Sequence, residues 1–544
     1  MQEQNSAVDA NGNVFIVGHF RGTVTIGGFV LANAGDNIDG FVAKWSPTDQ
    51  RFLWVQQLGS TGDEDVAAVA VSGNSVYITG SFSSLSLQVG ATTLTNVQNV
   101  GYSSSDVFVA KLIDAGTSSS FVWAQRAGGI GDETVRVLTV QGTSVYLGGA
   151  FKGGPTVFGD TPPLYWDFGF DMFVAKLTDN GSSSSFRWAR RAGGIKDEYV
   201  LGLAVQGTDV YFSGNYASPT AGFGSITLSN SSPTAVFSTD GFVAKLRDAG
   251  STASFGWALK VGGAEHDYCR ALAIQGSDVY VSGGFNSPTI SLGNTVLTNV
   301  NRAGTSADGF ILKLADTGAA ATVSWAQSVG GVGTEEVIGL ALNGKDLYVA
   351  GTFATSPAAP TASFGPYTLT GAGDVDIFAA KLTDDGPASS VAWVQQAGGA
   401  SYDGVTSLSL ASTGIHLIGR VRAPNVRFGT LVINGSSTSN TSYVATLAEP
   451  IRLAAHAATQ LPGLAMFPNP AAHQVTISLP ALSGTTTVGL TLTDAVGRVV
   501  RTATCPLPAT GLRYALPLTG LAPGPYIVRL QAGDQQTAQV LAVE

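Results

Sequence analysis

Cysteine is nearly absent: Cys269 and Cys505 are the two in 544 residues. They lie in stretches of different character, so no disulfide framework is expected, and both read as buried, idle thiols. Charge is scarce as well. Only 12% of residues are charged, and acids outnumber bases 38 to 28. A formal charge of −10 without clustered Lys and Arg excludes a nucleic-acid partner, because phosphate backbones are gripped by basic patches. No apolar run reaches the roughly 18 residues of a membrane-spanning helix. The opening Met1-Gln-Glu-Gln-Asn-Ser6 has neither the basic stretch nor the apolar core of a signal peptide. His19, His266, His416, His456 and His473 stand apart, without metal-ligand spacing. No nucleophile elbow or zinc signature occurs. Gly128-Gly-Ile-Gly131 and Gly330-Gly-Val-Gly333 lack the third glycine and following helix of a phosphate loop. The expectation is therefore no catalytic residue, no metal and no cofactor.

What the chain has is glycine, 69 of them, among Ser, Thr, Val and Ala. That is the composition of short strands and tight turns. It also has a repeated phrase. Asp-x-Phe-x-x-Lys begins at Asp39, Asp106, Asp171, Asp240, Asp308 and Asp376, and a worn copy reads Tyr443-Val-Ala-Thr446. The period is about 67 residues, so one supersecondary unit is repeated. In a full copy, residues 66–71 and 76–80 predict two strands around Gly73-Asn74, residues 85–95 a looser inserted hairpin, and 108–112 and 121–125 two more strands. Gly128-Gly129 closes the unit. The insert recurs as Phe158-Gly159, Phe223-Gly224, Leu292-Gly293, Phe364-Gly365 and Phe428-Gly429.

Alternation in Phe108-Val-Ala-Lys-Leu112 gives each sheet one strongly apolar and one mixed face. A lone sheet cannot cover both; radial stacking closed into a ring can. The expected fold is all-β, a seven-bladed β-propeller with about 67-residue blades. Trp54, Trp123, Trp188, Trp257, Trp325 and Trp393 are expected to pack between blades, with an exposed ligand platform as the alternative. The Lys of each phrase is expected to pair with a neighbouring Asp. The Trp strand occurs six times against seven for the others. The first inner strand looks nearly cut off at residues 6–8, and the missing strand and signal peptide are both expected upstream of Met1.

The repeat resembles a secreted bacterial β-propeller repeat: Gly-Gly-x-Gly-x-Asp, then Ala-Val-x-x-x-Gly-x-Val-Tyr-x-x-Gly, then Asp-x-Phe-Val-Ala-Lys-Leu. The resemblance covers about residues 6–447 and implies a fold without a fixed activity. The domain reading is propeller 1–448 with a truncated first blade, linker 449–463 with a helical turn at 452–458, and a C-terminal domain 464–544.

In that last domain about seven short strands predict a small immunoglobulin-like β-sandwich. Its motifs are Phe467-Pro468-Asn469-Pro470, Asp494-x-x-Gly497-Arg498-Val499 and Leu521-x-Pro-Gly524-x-Tyr526-x-Val-Arg-Leu530. Together they closely resemble the type A C-terminal sorting domain of the type IX secretion system. The resemblance implies export by that machinery in a Bacteroidota-type cell, recognition by its sorting peptidase, and release or outer-membrane surface attachment. The family often ends with Lys or Arg near its last strand; this chain ends Val540-Leu-Ala-Val-Glu544.

One polar feature repeats just after the glycine pair. Asp63, Asp132, Asp197, Asp267, Glu335 and Asp403 could form an acidic ring that holds calcium; alternatively each caps its own turn. The loops 151–170 and 218–239 depart most from the repeat, and Tyr165, Trp166 and Phe168 in the first are candidates for stacking on a sugar, with a plug between blades as the alternative. The function expected is a non-enzymatic, monomeric, secreted or surface binding or scaffold protein for polysaccharide or another surface protein. The alternatives are a carbohydrate-active enzyme, which needs two converging carboxylates, and a calcium-dependent adhesin.

Overall fold

The computed structural model describes residues 1–33, 35–97, 104–234, 238–355, 361–411, 414–422, 424–434, 440–447, 465–481, 487–493, 499–508, 510–532 and 535–544. The chain divides into two units, Met1–Leu453 and Ala454–Glu544. The expected linker and its helical turn lie outside the described residues. Every element within them is a strand.

The second repeat shows the local logic. Glu64–Ser72 turns at Gly73, whose φ of 60° suits a residue without Cβ, into Ser75–Phe82. That strand pairs antiparallel with Asp106–Asp114, which pairs with Ser119–Gly128. Lys111 stands opposite Trp123, and a bulge follows between Lys111 and Leu112. The same Lys–Trp register and bulge recur in five other sheets. In the first unit, the first strands of seven such sheets are Gln2–Val8, Glu64–Ser72, Asp132–Gln141, Glu198–Gln206, Asp267–Gln275, Glu335–Asn343 and Asp403–Ala411. Each lies beside the next, and Asp403–Ala411 lies beside Gln2–Val8, so the order of neighbours returns to its start.

Two expectations change. The supposed stub at residues 6–8 is a full strand, Gln2–Val8, paired with Val14–Phe20. Gln2, Glu3 and Gln4 hide it from hydrophobic periodicity, but a ladder needs only backbone groups. The third repeat also lacks the inserted hairpin. There Val157–Phe158 pairs with the end of Ser119–Gly128 in the preceding sheet, and Thr156 bridges to Leu164.

The seventh sheet contains Asp403–Ala411, Gly414–Val421 and Thr441–Leu447 among the described residues. Apolar clusters join each sheet to the next. One packs Tyr77, Val109 and Trp123 against Val145, Leu147 and Phe173. Full burial of one such side chain contributes about 2–3 kcal/mol.

The second unit has two antiparallel sheets. One holds Ala465–Phe467, Gln474–Leu479 and Leu512–Pro517; the other holds Val499–Pro506, Thr487–Thr493, Gly524–Ala532 and Gln535–Val543. Alternate residues Val475, Ile477, Leu490, Leu492, Val528 and Leu530 meet in one core.

Candidate functional site

Each Asp that opens a third strand is buried beside the acid that opens the next sheet's first strand. The pairs are Asp39 with Glu64, Asp106 with Glu133, Asp171 with Glu198, Asp240 with Asp267, Asp308 with Glu335, and Asp376 with Asp403. The glycine pair exists for them. A Cβ on Gly128 would lie 2.0 Å from Asp106 Oδ1 and 2.8 Å from Glu133 Oε2. The following amide binds the second acid: Gly129 N donates to Glu133 Oε2 at 3.1 Å, Gly194 N to Glu198 Oε2 at 2.9 Å, and Gly399 N to Asp403 Oδ2 at 2.6 Å. Burial, and then the facing carboxylate, raises Glu198 and Asp267 to about 7 and Glu335 to about 8. Burial raises Asp308 to about 6, against two backbone hydrogen bonds that oppose it.

A second set of acids joins the sheets elsewhere. Asp179 accepts from Lys111 Nζ at 2.6 Å, Tyr77 OH at 2.7 Å and Trp123 Nε1 at 3.0 Å, all from the preceding sheet. It also accepts from its own turn, Gly181 N, at 2.9 Å. Asp248, Asp316 and Asp384 repeat the arrangement with Lys176, Lys245 and Lys313; Asp114 does so with Lys44 and Trp54. Burial opposes the charge, yet the donors hold Asp316 and Asp384 down to about 2. Sequence reasoning expected each Lys to pair with a neighbouring Asp but did not single out which, nor that the Trp shares the same acceptor. The acceptors' signal was an Asp at fixed phase after each Lys: Asp114, Asp179, Asp248, Asp316 and Asp384.

The seven first strands all contribute to a cavity of about 510 Å³. Asp65, Arg136 and Arg270 are the charged residues at its wall. His19 Nδ1 lies 2.7 Å from Asp65, and Arg270 lies 3.5 Å from Glu336. The Arg136 guanidinium sits 5.8 Å from the centre of the Tyr199 ring.

The expected acidic ring does not assemble. Asp267, Glu335 and Asp403 are buried in the junction pairs, whereas Asp63, Asp132 and Asp197 stand one residue earlier, on the opposite side of the strand register. Asp63 accepts from Ile38 N and Asp197 from Phe170 N, each at 2.9 Å. None of the six lines the cavity. No cluster of three potential ligands that could hold a metal occurs among the described residues. Of the stacking candidates, Trp166 packs against the core cluster between the second and third sheets. Tyr165 is 66% exposed, and Phe168 in the same loop is 88% exposed. Cys269 and Cys505 are both buried and unbridged.

In the second unit, Asn469 of the Phe-Pro-Asn-Pro motif ties the first sheet's start to the last strand. Its Nδ2 donates to Val540 O at 2.8 Å and its Oδ1 accepts from Ala542 N at 2.9 Å. Phe467 lies under the Arg513 guanidinium at 5.6 Å, and the peptide bonds before Pro468 and Pro470 are cis. Gly524 leads into Tyr526, whose hydroxyl donates to Ala522 O at 2.9 Å. Gly497 and Arg498 lie outside the described residues.

Residues 465–544 match the secretion system C-terminal sorting domain. The chain carries a type IX sorting domain. Its motif residues thus lie in the domain that engages the type IX machinery, and the sorting domain marks the protein as secreted or surface-borne. No curated protein matches the chain. Among solved structures, the crystal structure of dimeric latent PorU from Porphyromonas gingivalis aligns with 70% of this chain at 11% identity. The chain spans 32% of that protein, and the TM-score of 0.13 is too low to bear on fold or activity.

Proposed function

We propose that residues 1–447 form a seven-bladed β-propeller that the sorting domain carries out of a Bacteroidota-type cell, and that this propeller is a non-enzymatic binding module for surface or extracellular polysaccharide. The ring reading is supported by the cyclic order of the first strands and the cavity to which all seven contribute. The observation that carries the binding reading is the loop of the third repeat. Among the described residues it alone replaces the inserted hairpin, and it exposes both Tyr165 and Phe168 in a chain whose other repeated aromatics are mostly buried. Two exposed rings suit the apolar face of a sugar. The buried acids have structural work at the junctions, which favours binding over hydrolysis. The sorting peptidase is then the partner that removes the tail, and the mature module acts as a monomer.

The test is binding of the full chain to a polysaccharide panel, with and without calcium. Saturable binding that Tyr165→Ala and Phe168→Ala each weaken by about tenfold, one stacking contact's worth, supports the reading. Release of oligosaccharides would replace it with an enzyme. Loss of binding on chelation would replace it with a calcium-dependent adhesin.

A further inference from the structure

Each of the seven first strands carries a bulge at the same place in its register. The pairing slips between Glu3 and Asn5, Val66 and Ala68, Val135 and Val137, and Val200 and Gly202. It slips again between Cys269 and Leu272, Val337 and Gly339, and Val405 and Ser407. A bulge leaves its extra residue outside the ladder and re-aims that side chain. The residues at this place are Gln4, Ala67, Arg136, Leu201, Arg270, Ile338 and Thr406, and all seven line the cavity of about 510 Å³.

Five of the seven are uncharged and two are arginine. Arg136 and Arg270 are the only basic residues on the first strands. They belong to the third and fifth sheets, and Leu201 of the fourth stands between them. In a chain with a formal charge of −10, two cations on one cavity wall are not the spill-over of a basic surface.

Both guanidiniums have donors to spare. Arg136 is exposed and makes no ion pair or hydrogen bond among the described residues; it sits 5.8 Å from the centre of the Tyr199 ring. Arg270 donates through Nη1 to Glu336 Oε2 at 3.5 Å, and the other oxygen of Glu336 accepts from the Tyr268 hydroxyl at 2.6 Å. A guanidinium has five N–H donors, set in a fork that fits a carboxylate or a sulfate. The acid on the cavity wall, Asp65, lies 2.7 Å from His19 Nδ1.

The rest of the wall suits a hydroxylated ligand. Gln4, Thr134, Thr406 and Ser407 supply amide and hydroxyl groups, and Leu203 and Leu340 supply apolar surface. The volume falls in the range of roughly 300–1,000 Å³ usual for small-ligand sites.

We propose that this cavity binds an acidic sugar unit, whose carboxylate or sulfate ester lies between Arg136 and Arg270 while its hydroxyls meet the polar side chains of the wall. The proposal rests on the polysaccharide-binding reading and narrows it to a polymer that presents acidic units. The third-repeat loop and the cavity are separate contacts with separate residues.

The test measures the affinity of the full chain, by calorimetry, for three oligosaccharides: an oligogalacturonate, the same compound fully methyl-esterified, and a sulfated galactan fragment. Saturable binding of an acidic oligosaccharide is expected. Arg136→Gln and Arg270→Gln should each weaken it tenfold or more while leaving the unfolding midpoint unchanged. Esterification removes the ligand's charge without touching the protein, and should weaken binding to the unaltered chain at least as much. Arginine-dependent binding of the sulfated fragment alone would support the site and make sulfate its anion. Equal affinity for the charged and esterified compounds would overturn the proposal, as would equal affinity of both arginine variants, or no binding of either acid. Binding weakened by Tyr165→Ala and Phe168→Ala but by neither arginine variant would overturn the cavity site and leave the loop reading standing. Acid binding lost in the arginine variants and unchanged in the two loop variants would do the reverse.

Discussion

Lys111 reaches out of its own sheet and stops 2.6 Å from Asp179 of the next, with side chains under a tenth exposed. The contact is one of five of its kind, and each acceptor also takes the indole N–H of the Trp opposite that Lys. A buried ion pair is weak evidence for stability relative to an apolar replacement, but breaking one leaves a stranded charge.

Removing one acceptor is therefore costly. Asp248→Ala strands Lys176, Trp188 and Tyr146 together. The expected loss is about 3–5 kcal/mol in denaturant unfolding of the first unit. Lys176→Met, which removes the charge and keeps the stem, should cost less than Asp248→Ala. Equal costs would mean that the stranded charge is not the cause.

Stability should fall as pH rises from mildly acidic toward 8. Carboxyls raised above their unfolded values, Glu198 and Asp267 to about 7 and Glu335 to about 8, leave the fold unpenalised below about pH 4.5. They weaken it progressively above that, and the loss is complete once pH has risen through 7 and 8. Asp316 and Asp384, held to about 2, act oppositely: their contribution is complete above about pH 4 and fades as pH drops toward 2. The unfolding midpoint should thus peak in mildly acidic buffer and decline toward pH 8. Glu335→Gln should flatten the decline between about pH 4.5 and 8; an unchanged profile would contradict the assignment.

The glycine pair should resist even alanine. A Cβ at Gly262 would lie 2.3 Å from Asp240 Oδ1. Gly262→Ala is expected to destabilise by about 1–3 kcal/mol through overpacking. The control is Gly256→Ala, whose Cβ meets nothing nearer than 3.7 Å. It should change the midpoint little, because the clash and not the lost glycine is at issue.

Export should require the second unit. Deleting residues 465–544 should leave the protein inside the cell envelope, measured as the fraction reaching the surface or medium. Asn469→Ala removes both hydrogen bonds to the last strand. It should destabilise the sorting domain by about 1–2 kcal/mol and lower export without abolishing it. Normal export of the deletion variant would refute a sorting role for this domain.

The strands were legible because apolar alternation and glycine turns recur at one phase: Phe108 and Trp123 mark their strands without help from distant residues. The junction acids were legible only as a run. Asp63 and Glu64 are adjacent, and a strand sends adjacent side chains to opposite sides, so composition alone does not tell which one is buried. The deciding partner, Asp39, opens a different strand and enters only through the fold. Gln2–Val8 was hidden for the converse reason: its pairing is by backbone, while Gln2, Glu3 and Gln4 carry no apolar signal. Trp166 was half legible. Its aromatic ring was plain, but whether the loop turned it inward depended on the core between two sheets.

The Lys–Asp joints also bear on how such a gene can lengthen. Each interior repeat carries a donor at one flank and an acceptor at the other, as Lys176 and Asp179 do within one strand. A duplication of one whole period therefore inserts a matched pair and leaves every joint filled. A duplication of part of a period adds a donor without its acceptor, or the reverse, and buries a lone charge. Selection against such intermediates would keep copy boundaries in phase, and the near-constant spacing of Lys44, Lys111, Lys176, Lys245, Lys313 and Lys381 is the record that process would leave.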